Sequence, residues 1–128
     1  MQPLAGTIYD DWLNWSNSFA GIVGLDGNDT VSFVALESGV VVSLNQNKVT
    51  SSVGWTAQLT GVENVTGTSQ HDYLAGNDAA NTLRGLGGSD TLEGQGGGDV
   101  LVGGAGNDTA VYTASPEAIT ASLLRGKG

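Results

Sequence analysis

Cysteine is absent from the 128 residues, which excludes disulfides, zinc thiolates and thiol nucleophiles together. Basic residues are scarce: four Lys and Arg against thirteen Asp and Glu give a net charge of -9, although only 13% of residues are charged. A chain so poor in cations has no electrostatic basis for binding nucleic acid or anionic membrane surfaces. No apolar run approaches the roughly 18 residues of a membrane span, and the start lacks the basic and apolar stretches of a secretory signal. Helix periodicity is lacking as well. Only Ser115 to Leu124, with Pro116 near a first turn, has any helical character, and strand is favoured there too. With 39% hydrophobic and 6% aromatic residues the chain buries only a modest core, so something besides apolar packing must stabilise it. Its last residues, Leu124 to Gly128, form no closing pattern, and the expectation is an excerpt of a longer protein.

What the sequence has is glycine. Twelve of its 21 glycines lie between Gly67 and Gly106, with a period of nine. The units read GTSQHDYLA from Gly67, GNDAANTLR from Gly76, GLGGSDTLE from Gly85, GQGGGDVLV from Gly94 and GGAGNDTAV from Gly103. Position six is Asp72, Asn81, Asp90, Asp99 and Asp108; position eight is Leu74, Leu83, Leu92, Leu101 and Ala110. A less regular unit precedes them, with Glu63 at position six and Val65 at position eight. The same pattern occurs from Gly6, Trp15 and Gly24, where position six is Asp11, Ala20 and Asp29. A shift of 79 residues superposes Gly27-Asn28-Asp29-Thr30 on Gly106-Asn107-Asp108-Thr109, so the chain reads as parts of a tandem array. Between the blocks, residues 33–62 lose the period and carry β-rich runs, Gly39 to Leu44 and Trp55 to Leu59, with a turn near Asn45-Gln46-Asn47.

Each unit divides into six turn-forming residues and a three-residue strand with an apolar centre. If two units complete one coil, position-eight residues point inward and parallel strands stack at roughly 4.8 Å. Stacked position-six carboxylates about 5 Å apart would then repel by roughly 3 kcal/mol per pair at an effective dielectric near 20. Divalent cations between the loops reverse that sign and supply folding free energy directly. Calcium suits such loops, because it takes carboxylates and backbone carbonyls together.

These units resemble the repeats-in-toxin (RTX), or haemolysin-type calcium-binding, nonapeptide family, whose consensus is G-G-x-G-x-D-x-U-x; Gly103 to Val111 is similar to it throughout. The resemblance implies Ca2+ between loops n and n+2, held by carbonyls at positions two and four of the earlier loop, one and three of the later, and both position-six side chains. One site would use Thr68, Gln70 and Asp72 with Gly85, Gly87 and Asp90. A second would use Asn77, Ala79 and Asn81 with Gly94, Gly96 and Asp99, weakened because Asn81 replaces an acid. A third would use Leu86, Gly88 and Asp90 with Gly103, Ala105 and Asp108, so that Asp90 bridges two ions. In the first block Thr7, Tyr9 and Asp11 face Gly24, Asp26 and Asp29, which brings the expected number to three or four ions.

The expected fold is all-β: a calcium-stabilised parallel β-roll, in two short rolls joined by β strands. Residues 1–32 would be the truncated tail of a preceding module, 33–62 linking strands or a hairpin, 63–111 the second roll and 112–128 the start of a following module. His71, the only histidine, has no nucleophile or second acid placed to work with it, so no enzyme activity is expected. Trp12, Trp15 and Trp55 could stack on a sugar, but Trp12 and Trp15 could equally cap the first roll. Glu63 and Asn64 either anchor the first turn of the second roll or close the preceding strand; both readings stay open. The resemblance implies a calcium-binding segment of a larger secreted bacterial protein, exported by type I secretion to the exterior or cell surface and folding there on calcium. Its partners would be calcium and neighbouring modules of the same chain. The alternatives are a carbohydrate-binding or adhesive module with structural calcium, and the noncatalytic repeat region of an RTX protease or lipase.

Overall fold

The structure is a computed structural model that describes residues 21–24 and 26–111, together with the backbones of short strands at 4–5, 12–14 and 120–122. Among the described residues there are fourteen strands and no helix. In chain order they are β1 Leu4–Ala5, β2 Trp12–Asn14, β3 Gly21–Val23, β4 Thr30–Ser32, β5 Val40–Ser43, β6 Lys48–Ser51 and β7 Thr56–Thr60. Then follow β8 Asn64–Thr66, β9 Tyr73–Ala75, β10 Thr82–Arg84, β11 Thr91–Glu93, β12 Val100–Val102, β13 Thr109–Val111 and β14 Thr120–Ser122.

The nine-residue period sets the topology. Successive units alternate between two sheets, so units two apart pair in parallel: Leu74 with Leu92 and Leu92 with Ala110 in one sheet, Val65 with Leu83 and Leu83 with Leu101 in the other. Position eight therefore points between the sheets, and Leu74, Leu83, Leu92 and Leu101 are completely buried. Each contributes about 1.5 to 3 kcal/mol of apolar burial. This is the all-β parallel roll expected from the repeat.

The sheets are unequal. One holds eight strands in the order β1-β3-β7-β6-β5-β9-β11-β13, the other six in the order β14-β12-β10-β8-β4-β2. The difference is the segment linking the two repeat blocks. In the six-stranded sheet β4 pairs directly with β8, Val31 against Val65, so the blocks stack there without a break. In the eight-stranded sheet β7, β6 and β5 lie between β3 and β9, antiparallel to one another and parallel to the roll at both junctions. The linking segment thus places three strands on one side only, which leaves that sheet two strands, about 10 Å, wider than the other.

That extra inner surface needs large apolar residues, and residues 33–62 supply them. Phe33 is the largest fully buried side chain; Val40, Val42, Leu44, Val49, Leu59 and Val62 are buried with it, and Leu36 and Trp55 pack against them. The alternation of β7, exposed at Thr56, Gln58 and Thr60 and buried at Ala57 and Leu59, is that of a strand with one wet face. Asn47, at the predicted turn between β5 and β6, adopts a left-handed φ of 56°.

Candidate metal centre

Coil stacking lines up position six along both loop edges of the roll. On one edge the Asp72 amide donates to Asp90 Oδ1 at 2.8 Å, and the Asp90 amide donates to Asp108 Oδ1 at 2.9 Å. On the other the Asn81 amide donates to Asp99 Oδ1 at 2.9 Å. The ladders extend into the less regular units. The Val40 amide donates to Asp72 Oδ1 at 2.9 Å, and the Asp29 amide donates to Glu63 Oε1 at 2.8 Å. Glu63 therefore does the work of a position-six residue, so the open choice about it resolves as an anchor. The longer Glu side chain bridges a linker, 61–63, that is shorter than a full repeat loop.

The second oxygen of each position-six carboxylate turns back toward position one of its own unit. Asp90 Oδ2 lies where a Cβ on Gly85 would sit, and Asp99 and Asp108 stand likewise beside Gly94 and Gly103, so only glycine fits there. These three Oδ2 atoms are buried and accept no hydrogen bond. In the two preceding loops the equivalent atoms are engaged. Asp72 Oδ2 accepts from the Thr68 amide at 2.8 Å, and its Oδ1 also accepts from Thr68 Oγ1 at 2.9 Å. Asn81 Oδ1 accepts from the Asn77 amide at 2.9 Å, while its Nδ2 donates to the Glu63 carbonyl at 2.7 Å.

Backbone conformation separates the same two groups. In loops 85–90, 94–99 and 103–108, position two is left-handed at Leu86, Gln95 and Gly104, with φ of 70°, 65° and 85°. Position four is also left-handed, with φ of 86°, 81° and 104° at Gly88, Gly97 and Gly106. Loops 67–72 and 76–81 have no left-handed residue. Their position-two side chains bond inside the loop instead: Thr68 Oγ1 accepts from the Gln70 amide and Asn77 Oδ1 from the Ala79 amide, both at 2.9 Å. Left-handed leucine and glutamine each cost about 1 kcal/mol, a strain that belongs to loops built to aim their carbonyls.

The carbonyls run between coils. Those of Gln70 and Ala79 face Gly88 and Gly97; those of Leu86 and Gly88 face Gly104 and Gly106. The position-one carbonyls of Gly85 and Gly94 point the opposite way, toward Gly67 and Gly76. Among the described residues no three His, Cys, Asp or Glu side chains converge, so a cation here would draw most of its ligands from carbonyls.

Burial makes these carboxylates hard to ionise. Desolvation raises the Asp90 carboxyl from 3.8 to about 7; the Asp72 amide opposes this, and the charges of Asp72 and Asp108 add to it. Desolvation also raises Asp72 and Asp99, against the hydrogen bonds that they accept. Buried oxygens without donors, raised carboxyl groups and carbonyls converging from adjacent coils together fit a hard divalent cation.

The other predicted ligands fall as follows. Asp29 is fully buried and Gly24 stacks against the Gly61 carbonyl, while Asp26 is exposed. Thr7, Tyr9 and Asp11 lie outside the described residues. Gln70, Ala79 and Ala105 are exposed at the loop tips, Gly87 lies over Ser69 and Gly96 lies beside Asp78. Sequence reasoning passed over the side chains of Thr68 and Asn77, counting only their carbonyls. The available signal was a hydrogen-bonding residue at position two.

No curated protein matches the chain. A family model described as RTX calcium-binding nonapeptide repeat (4 copies) matches residues 59–92 and 75–110, the stretch that carries the stacked position-six side chains. Over residues 59–110 the chain therefore carries repeats that match the RTX calcium-binding nonapeptide repeat family.

Proposed function

We propose that the chain is a noncatalytic calcium-binding segment of a larger secreted bacterial protein, and that calcium completes its folding after export. The observation that carries this reading is the set of three buried Oδ2 atoms, on Asp90, Asp99 and Asp108, for which the protein supplies no donor. Each belongs to the later loop of one proposed pair: 67–72 with 85–90, 76–81 with 94–99, and 85–90 with 103–108. That gives three ions. The fourth, between loops 6–11 and 24–29, would add Thr7, Tyr9 and Asp11 to Gly24, Asp26 and Asp29.

In each pair the position-four carbonyl of the earlier loop, Gln70, Ala79 or Gly88, lies against the later loop, and in the third pair the Leu86 carbonyl at position two does so as well. Thr68, Gln70, Asn77 and Ala79 would contribute carbonyls, while Asp72 and Asn81, whose polar atoms already hold protein partners, fix the shape of their loops. When bound, calcium supplies two positive charges against carboxylates otherwise held beside one another. Low calcium inside a cell and high calcium outside then make export and folding successive steps, which supports a secreted location for a repeat of this family.

Isothermal titration calorimetry on the calcium-free chain, with circular dichroism on the same samples, tests this. Three or four ions per chain and a gain of β signal are expected. A β spectrum already complete in excess chelator would overturn the coupling, and fewer than three ions would overturn the ligand assignment.

A further inference from the structure

The roll is built from two kinds of coil. In residues 30–84 every position-six contact is closed by the protein: Val40 to Asp72, Thr68 to Asp72, Asn77 to Asn81 and Asn81 to Glu63. Most of the apolar core lies in the same stretch. Of the buried hydrophobic residues only Leu92 and Leu101 lie beyond Leu83, and the largest, Phe33, belongs to the same core cluster as Val40, Val42, Val49 and Leu59 of the inserted strands. Those strands pair locally through short turns, which is the fast-forming kind of sheet contact. Residues 85–111 are the opposite. They hold four carboxylates, Asp90, Glu93, Asp99 and Asp108, with no Lys or Arg, and ten glycines to order. Three of the four carboxylates carry the oxygens without donors.

We propose that residues 30–84 fold without calcium and form a preformed end plate on which residues 85–111 assemble when calcium arrives. The inference rests on calcium-coupled folding of the repeats and limits it to one part of the chain. The plate presents what the next coil needs: the Asp72 amide for Asp90 Oδ1, the Asp72 carbonyl for the Thr91 amide and the Asn81 carbonyl for the Val100 amide. Asp72 holds two donors from its own loop and one from β5, so it clamps the inserted strands to the first repeat loop with no metal between them. A parallel coil closes its contacts over 18 residues and nucleates poorly alone. A template of fixed register removes that nucleation step, and calcium then acts on elongation.

Hydrogen exchange by mass spectrometry on the whole chain, in EGTA and in millimolar calcium chloride, tests the division. In EGTA, peptides from 30–84 should exchange at least tenfold more slowly than peptides from 85–111; calcium should slow the latter by at least a further tenfold. Thr68→Ala, which removes one donor from Asp72, should speed exchange of peptides spanning 40–75 in EGTA at least threefold. No protection anywhere in EGTA, with full protection in calcium, would overturn the plate and leave calcium-coupled folding intact. Equal protection of both stretches in EGTA would overturn both.

Discussion

Acid should partly replace calcium. The Asp90 carboxyl is raised to about 7 in the folded roll, chiefly by desolvation, against 3.8 for the ordinary group. A carboxyl raised on folding takes up a proton between those two values, so the folded form loses stability as the pH climbs from about 4 through 7. Changing from pH 8 to pH 5 in excess EGTA should therefore favour the ordered state of residues 85–111. The gain is about 3 kcal/mol from Asp90 alone if its shift is fully expressed, and about 1 kcal/mol after solvent screening at the loop edge. The corresponding population change is about 5-fold to 150-fold. Burial raises Asp72 and Asp99 as well, and their contributions have the same sign.

Far-ultraviolet circular dichroism in EGTA, followed from pH 8 to pH 5, should register a growing β signal, with hydrogen exchange locating the gain in 85–111. In calcium the dependence reverses. The ion and the proton compete for Asp90, so apparent calcium affinity should fall as the pH drops below 7, by up to about tenfold per pH unit for each proton displaced. A β signal that is flat or falls on acidification in EGTA would refute the argument, because it would mean that these carboxylates are not held in a desolvated position without metal.

The remaining predictions concern single side chains. Asp90→Ala should reduce the calcium stoichiometry by one to two ions, since its loop takes part in two proposed pairs. Asn81→Ala should leave the stoichiometry unchanged and lower the urea midpoint in calcium, by about 1 to 3 kcal/mol of stability, because the Asn77 amide and the Glu63 carbonyl lose their partner. Equal calcium losses for the two variants would refute the distinction between them. Gly54→Ala meets only the strain of its φ of 106°, with open space around it, and should cost about 1 kcal/mol. Gly97→Ala has a φ of 81° and drives a methyl into the Ala79 carbonyl of the coil before, so its cost should exceed that of Gly54→Ala by at least about 1 kcal/mol. Equal urea midpoints would show that the coils do not approach this closely.

The roll was legible in the sequence because its two determinants repeat. Position eight is apolar in every unit from Gly67 on, and position one is always glycine, so burial and loop geometry declare themselves by recurrence. The inserted strands were legible as β, through Val40 to Leu44 and the turn at Asn47, but their place in the sheet was not. Nothing in a run of valines says whether it joins two rolls end to end or lies inside one sheet while the other continues past it. That outcome depends on Val31 meeting Val65 across 34 residues, a pairing available only once the 61–63 linker brings Glu63 under the Asp29 amide.

The side-chain ligands of the metal frame were read from position six, and position six does not separate the loops: Asp72 and Asp90 share residue type and burial, and the Oδ1 of each accepts a backbone amide from the neighbouring strand or coil. Position two separates them. A Thr or Asn there folds its side chain onto the loop, keeps its φ negative and leaves its amide directed at the position-six side chain, as the Thr68 and Asn77 amides are. Leu86, Gln95 and Gly104 have no such side-chain closure, and their left-handed backbones leave Oδ2 of position six without a donor. The loop then ends in a buried anion that a proton or a cation must satisfy. In this reading a single residue decides whether a nonapeptide closes on itself or waits for calcium, and the two closed units are the first two full repeats after the inserted strands.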